Sequence, residues 1–154
     1  MTHEEFSGGC LCGYIRYTVV GPTGWQAGCC CESCTHAAGA PAMVWSGFMR
    51  DNFKLTHGEL TIYESSPGVQ RGFCGVCGTT LTYQKNPDVI AGAQEDVYVS
   101  VQTLDDPAAF PPTEYVYYGE RRPWFSLDAT VPLHETISPE NQHRMLATMT
   151  VNKG

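Results

Sequence analysis

The stretch FCGVCGT, Phe73 to Thr79, places two cysteines three positions apart with a glycine after each. In a C-x-x-C turn two sulfurs reach one metal ion while backbone N–H groups point at them, and Gly75 and Gly78 ease the chain into that turn. One such knuckle supplies only half of the four ligands that a structural zinc requires. Cys74 and Cys77 therefore need partners from elsewhere. Cys10 and Cys12, in GGCLCG (Gly8 to Gly13), are the available pair: both sulfurs can lie on one side of a strand end bent by glycine. A closed site of Cys10, Cys12, Cys74 and Cys77 would tie the first strand to the middle of the chain. A thioredoxin-like redox pair would need a βαβ context around CGVCG, and the pattern of the chain does not provide one.

A second set lies between these two. The stretch GCCCESC, Gly28 to Cys34, packs four of the eight cysteines into seven residues. Read as C-x-C-x-x-C, Cys29, Cys31 and Cys34 converge on one metal, while Cys30 alternates to the other side of the backbone. Three thiolates leave a fourth position for water or a substrate atom, which is the arrangement of a catalytic zinc. His36, or Cys30 if the backbone curled, would close that position. A thiol redox sensor built on Cys29 to Cys34 would form reversible disulfides instead. His3, His57, His134 and His143 lie near no second ligand pair and take no role.

Composition narrows the class. With 154 residues, 42% of them hydrophobic, the chain suits one domain over residues 1–154 with a real core. Its start, MTHEEFSGG, is acidic and polar, and no stretch reaches the ~20 apolar residues of a membrane span. A soluble, cytoplasmic protein is expected, and in that compartment eight cysteines read as metal ligands before disulfides. A net charge of -7 works against binding a phosphate backbone, so nucleic acid is not an expected partner. Small anions need only a local basic pocket, for which Arg50, Arg71, Arg121 and Arg122 are the candidates.

Glycines and prolines punctuate short apolar runs, the layout of a mainly β domain. In YIRYTVV (Tyr14 to Val20), Ile15, Tyr17 and Val19 share one face; in DVYVSVQTL (Asp96 to Leu104), Val97, Val99 and Val101 do. Shorter strands are expected at Ala42 to Phe48, Leu60 to Tyr63, Val69 to Phe73, Thr80 to Tyr83 and Glu114 to Tyr118. Single turns are expected around Cys34 to Ala38 and after Asp106. A short C-terminal helix is expected in SPENQHRMLATM, where Ser138 can cap and Pro139 suits the first helical position.

The order GGCLCG, CCCESC, RGFCGVCGTTL and TLDDP, together with the SSPGVQRGFC lead-in at Ser65 to Cys74, resembles the glutathione-dependent formaldehyde-activating enzyme family, from about Gly8 to Trp124. The resemblance implies an Mss4-like fold of small antiparallel sheets stapled by zinc. By position, Cys10, Cys12, Cys74 and Cys77 match that family's structural zinc ligands, and Cys29, Cys31 and Cys34 its catalytic ones. The activity implied is that of a carbon–sulfur lyase on glutathione-type thiol adducts, with two zinc ions and glutathione as co-substrate, its thiol meeting the catalytic zinc. Arg71 is then a candidate partner for a glutathione carboxylate. Glu32 and His36, beside the ligands, are candidates for moving the adduct's hydroxyl proton. The chain departs from the family pattern at Cys30 and at Glu114 or Tyr115, where histidine is frequent. The alternative function is a non-enzymatic zinc-stapled module, since the same fold also serves as a chaperone-like partner of small GTPases.

Overall fold

The computed structural model describes residues 3–21, 25–127 and 130–137. The helix expected over 138–149 lies outside them. Among the described residues ten strands form: β1 (Glu5–Gly9), β2 (Arg16–Val20), β3 (Trp25–Cys29), β4 (Met43–Met49), β5 (Phe53–His57), β6 (Leu60–Ser66), β7 (Val69–Cys74), β8 (Thr80–Lys85), β9 (Asp96–Ser100) and β10 (Glu114–Val116). A helix, α1 (Glu32–Ala38), follows β3, and a 3-10 turn at Pro107–Ala109 answers the turn expected after Asp106. The fold is mainly β. Among the described residues no helix is long and apolar enough to cross a membrane.

Strands β1, β2 and β5 form a small antiparallel sheet in the order β1-β2-β5. The others form a seven-stranded sheet in the order β10-β3-β4-β9-β8-β7-β6. Its pairings are antiparallel except for β10 on β3, which is parallel. The strand alternation seen in the sequence describes the inner faces well. Ile15, Tyr17 and Val19 are buried, as are Val97, Val99 and Val101, although Val101 already belongs to a 3-10 turn. They pack with Phe48, Leu81 and Phe110 into the main core, which also takes in Cys10 and Cys74. Because side chains alternate across a strand, Val44 and Phe48 of β4 face that core while Met43 and Trp45 face a second cluster holding Cys29 and Cys34. The two cysteine sets thus belong to different packing clusters.

Three strands, β1, β3 and β5, carry no sequence expectation, and two of them contain glycine where turn punctuation was the natural reading. The physical reason is close packing by aromatic rings. A Cβ at Gly8 would run into the Tyr17 hydroxyl, and one at Gly28 would overlap the Tyr115 ring. These glycines sit inside strands because a tyrosine occupies the space their side chains would need. Gly28→Ala is accordingly expected to displace Tyr115 and destabilise the fold by about 1–3 kcal/mol. Denaturant unfolding checks this; wild-type stability would show that the ring does not depend on the missing side chain.

Candidate metal centres

The first site is built from two turns that each end in a left-handed glycine. After Cys10 and Cys12 comes Gly13, after Cys74 and Cys77 comes Gly78, and both glycines have φ of 81°. That left-handed geometry suits glycine alone at no steric cost, whereas Gly75, also expected to ease the knuckle, has no positive φ. Gly13 N–H donates to Cys10 O at 3.2 Å and Gly78 N–H to Cys74 O at 2.8 Å, closing the two turns. Further N–H groups reach the sulfurs: Ile15 to Cys10 at 3.2 Å and Cys77 to Cys74 at 3.5 Å.

The sulfur spacing tests the fit to zinc. Four sulfurs at about 2.3 Å around a tetrahedral ion stand about 3.8 Å apart. Cys10 Sγ lies 3.6 Å from Cys12 Sγ, which lies 3.9 Å from Cys74 Sγ, and all four sulfurs fall within 4.8 Å of one another. The donor set fits a closed thiolate site. Thr79, which the sequence reading passed over, supports it. Its hydroxyl sits 3.1 Å from Cys77 Sγ and accepts Leu11 N–H at 3.1 Å, so it links both turns. Hydrogen bonds from the Thr79 hydroxyl and backbone lower the Cys77 thiol to about 5. A hydroxyl two residues past a knuckle was the available signal.

The second site occupies the junction of β3 and α1. Cys29 ends β3, Cys31 is the N-cap of α1, and Cys34 lies in the helix's first turns, where its N–H donates to Cys31 Sγ at 3.4 Å. Their three sulfurs lie within 4.8 Å of one another. The Cys34 thiol is pulled down to about 2 by hydrogen bonding from Cys29 and Cys31, with the Trp45 indole and Arg71 acting in the same direction. Hydrogen bonding to Cys31 and Cys34, together with burial, pushes Cys29 up. The three thiols titrate together as one group, so a cation bound there would be shared by all three. Among the described residues neither His36 nor Cys30 joins the group. Cys30 is buried, its N–H donating to Val116 O, and His36 lines a separate cleft with Arg122 and Trp124.

All three sulfur-bearing residues line a cavity of about 680 Å³. Of the four arginines considered, only Arg71 borders it. Arg50 donates to Lys85 O near Glu95, Arg121 lies over the Tyr118 ring, and Arg122 is in the separate cleft. Arg71 is 8% exposed. Its Nε donates to Ser65 Oγ at 3.2 Å, its guanidinium stands 5.0 Å from the centre of the Tyr83 ring, and Nη1 has no hydrogen-bond partner among the described residues. No described carboxylate pairs with it. A buried cation with an idle donor on a cavity wall can take an anion.

Glu32 also lines this cavity, with Glu120 and Asp96. Tyr117 borders it in a left-handed conformation, φ 53°, fixed where its N–H donates to Thr136 O at 2.6 Å. Glu114 does not reach the triad; it accepts from the Trp25 indole and pairs with His134 at 3.0 Å. The aromatic residues around the triad carried no spacing signal of their own. Trp45 and Tyr83 come from different strands and meet only through sheet register.

The chain is similar in fold to the crystal structure of a Rhodobacter sphaeroides protein, with a TM-score of 0.53 and 17% identity over 82% of this chain and 98% of that one. No curated protein matches it. A family model described as glutathione-dependent formaldehyde-activating enzyme matches residues 5–120, a span that includes all eight cysteines and Arg71. With both cysteine clusters and the mainly β fold in place, the chain belongs to the glutathione-dependent formaldehyde-activating enzyme family.

Proposed function

We propose that the protein is a zinc-dependent carbon–sulfur lyase acting on glutathione-type thiol adducts of small carbonyl compounds. The observation that carries this reading is a three-thiolate cluster opening onto a cavity whose wall holds a buried arginine with Nη1 unbonded among the described residues. When bound by Cys29, Cys31 and Cys34, zinc would supply a Lewis acid that makes a thiol acidic. The chain's own residues do the rest. Arg71 holds a carboxylate of the tripeptide and so fixes the reach of its cysteine sulfur towards the triad. Trp45, only 3% exposed, keeps water from one side of the cluster.

Breaking the carbon–sulfur bond of a hemithioacetal returns the bonding pair to sulfur, forms the carbonyl, and releases the hydroxyl proton. That proton needs an acceptor on the cavity wall. Glu32, adjacent to Cys31, is the carboxylate we assign to the task, beside Asp96, which accepts from the Tyr98 hydroxyl, and Glu120, which accepts from Glu32 N–H. His36, in its separate cleft, is set aside.

Cobalt substitution tests the open position directly. Added glutathione should alter the bands of the three-thiolate site while leaving those of the four-thiolate site unchanged, and oxidised glutathione, which has no thiol, should do much less. A spectrum indifferent to excess glutathione would mean that the triad accepts no outside thiol. The zinc-stapled binding module would then be the better reading.

A further inference from the structure

The cavity beside the triad is aromatic to a degree that a one-carbon adduct does not explain. Trp25 meets Tyr98 edge-on at 5.7 Å, Tyr98 lies 6.0 Å from Tyr83, and Tyr83 lies 5.9 Å from Trp45, so four rings from β3, β4, β8 and β9 form one continuous chain. All four line the cavity. Trp45, Trp25, Tyr83 and Tyr98 also pack in the cluster that holds Cys29 and Cys34, so the wall begins at the thiolates themselves.

Arg71 and Lys85 are the described basic residues on this wall, and Glu32, Asp96 and Glu120 the acidic ones. Arg71 stacks on Tyr83, and its unpaired Nη1 marks where an anionic end would anchor. A carbon attached to a sulfur at the triad emerges next to Trp45 and Tyr83. A hydroxymethyl group there would leave the exposed ring surface of Trp25, Tyr83 and Tyr98 against water. A planar apolar group would cover it, gaining ring contacts and removing apolar area from solvent.

We infer that the natural substrates are thiol adducts whose carbonyl-derived part is aromatic or comparably bulky and apolar, with Trp25, Trp45, Tyr83 and Tyr98 setting that preference. The inference rests on the lyase reading above and narrows its substrate class from small carbonyl compounds in general. It concerns binding, so its test needs no turnover.

Zinc-loaded protein is titrated calorimetrically with S-benzylglutathione and with S-methylglutathione, two unreactive thioethers that share the tripeptide and differ only in the sulfur substituent. The benzyl compound should bind roughly tenfold more tightly or better, as expected for burying one ring. Trp25→Leu, which removes the outer ring of the chain, should reduce that ratio while leaving the methyl compound's affinity within about twofold. An affinity ratio near one in the unaltered protein overturns the inference. If the cobalt spectrum still responds to glutathione in that case, the lyase reading survives. If the spectrum is silent and neither thioether binds, both fall together.

Discussion

Cys74→Ser is expected to leave the protein unfolded or aggregated. Cys74 is fully buried in the main core, and its sulfur belongs to a four-thiolate set joining the turn after β1 to the turn after β7. A structural zinc contributes on the order of 10 kcal/mol to folding, comparable to a domain's whole net stability. Removing one ligand from a closed tetrahedron therefore removes much of what holds the two sheets in register. Cys12→Ser tests the same site without disturbing the core, because Cys12 is exposed. Far-UV circular dichroism, size-exclusion behaviour and zinc content read the outcome. Either variant purified folded, with wild-type melting temperature and metal content, would show that the site is not structural.

Cys31→Ser should do the opposite: keep the fold and lose the second metal together with lyase activity. The position explains why the two effects separate. Cys31 is the N-cap of α1, and serine is among the better N-cap residues, so the substitution preserves the start of the helix while removing one thiolate. Cys29 and Cys34 alone would hold an ion poorly. Metal content should fall by the triad's share, and turnover of a glutathione adduct should drop to background. Retained turnover by a variant shown to lack this metal would overturn the mechanism. A melting temperature close to that of the unaltered protein would separate this site from the four-thiolate one, where the same cysteine-to-serine exchange is expected to abolish folding.

Both outcomes follow from spacings that can be read directly from the chain. Cys10 and Cys12, Cys74 and Cys77, and the triad Cys29, Cys31 and Cys34 group in space as their intervals suggested. The reason is that a knuckle is a local object: a few residues and a left-handed glycine settle where its sulfurs point, whatever the rest of the chain does. The buried faces of β2 and β9 were legible for a similar reason, since side-chain alternation is a property of the strand itself.

Gly8 and Gly28 could not be read in that way, because their place inside strands depends on Tyr17 and Tyr115, which reach them only through pairing and packing. The same holds for the site's surroundings. Arg71 stood apart from Arg50, Arg121 and Arg122 only through the family resemblance, and His36 stood far nearer the ligands in sequence than Arg71 or Tyr83. Sheet order placed β7 and β8 so that Arg71 and Tyr83 face the triad, while α1 turned His36 into another cleft. The sequence by itself determined the shape of each cysteine turn, because a few residues set it; only the tertiary structure brought Cys10 and Cys12 onto Cys74 and Cys77 and decided what surrounds the triad, because neighbours separated by tens of residues are chosen by strand register and by the packing of rings.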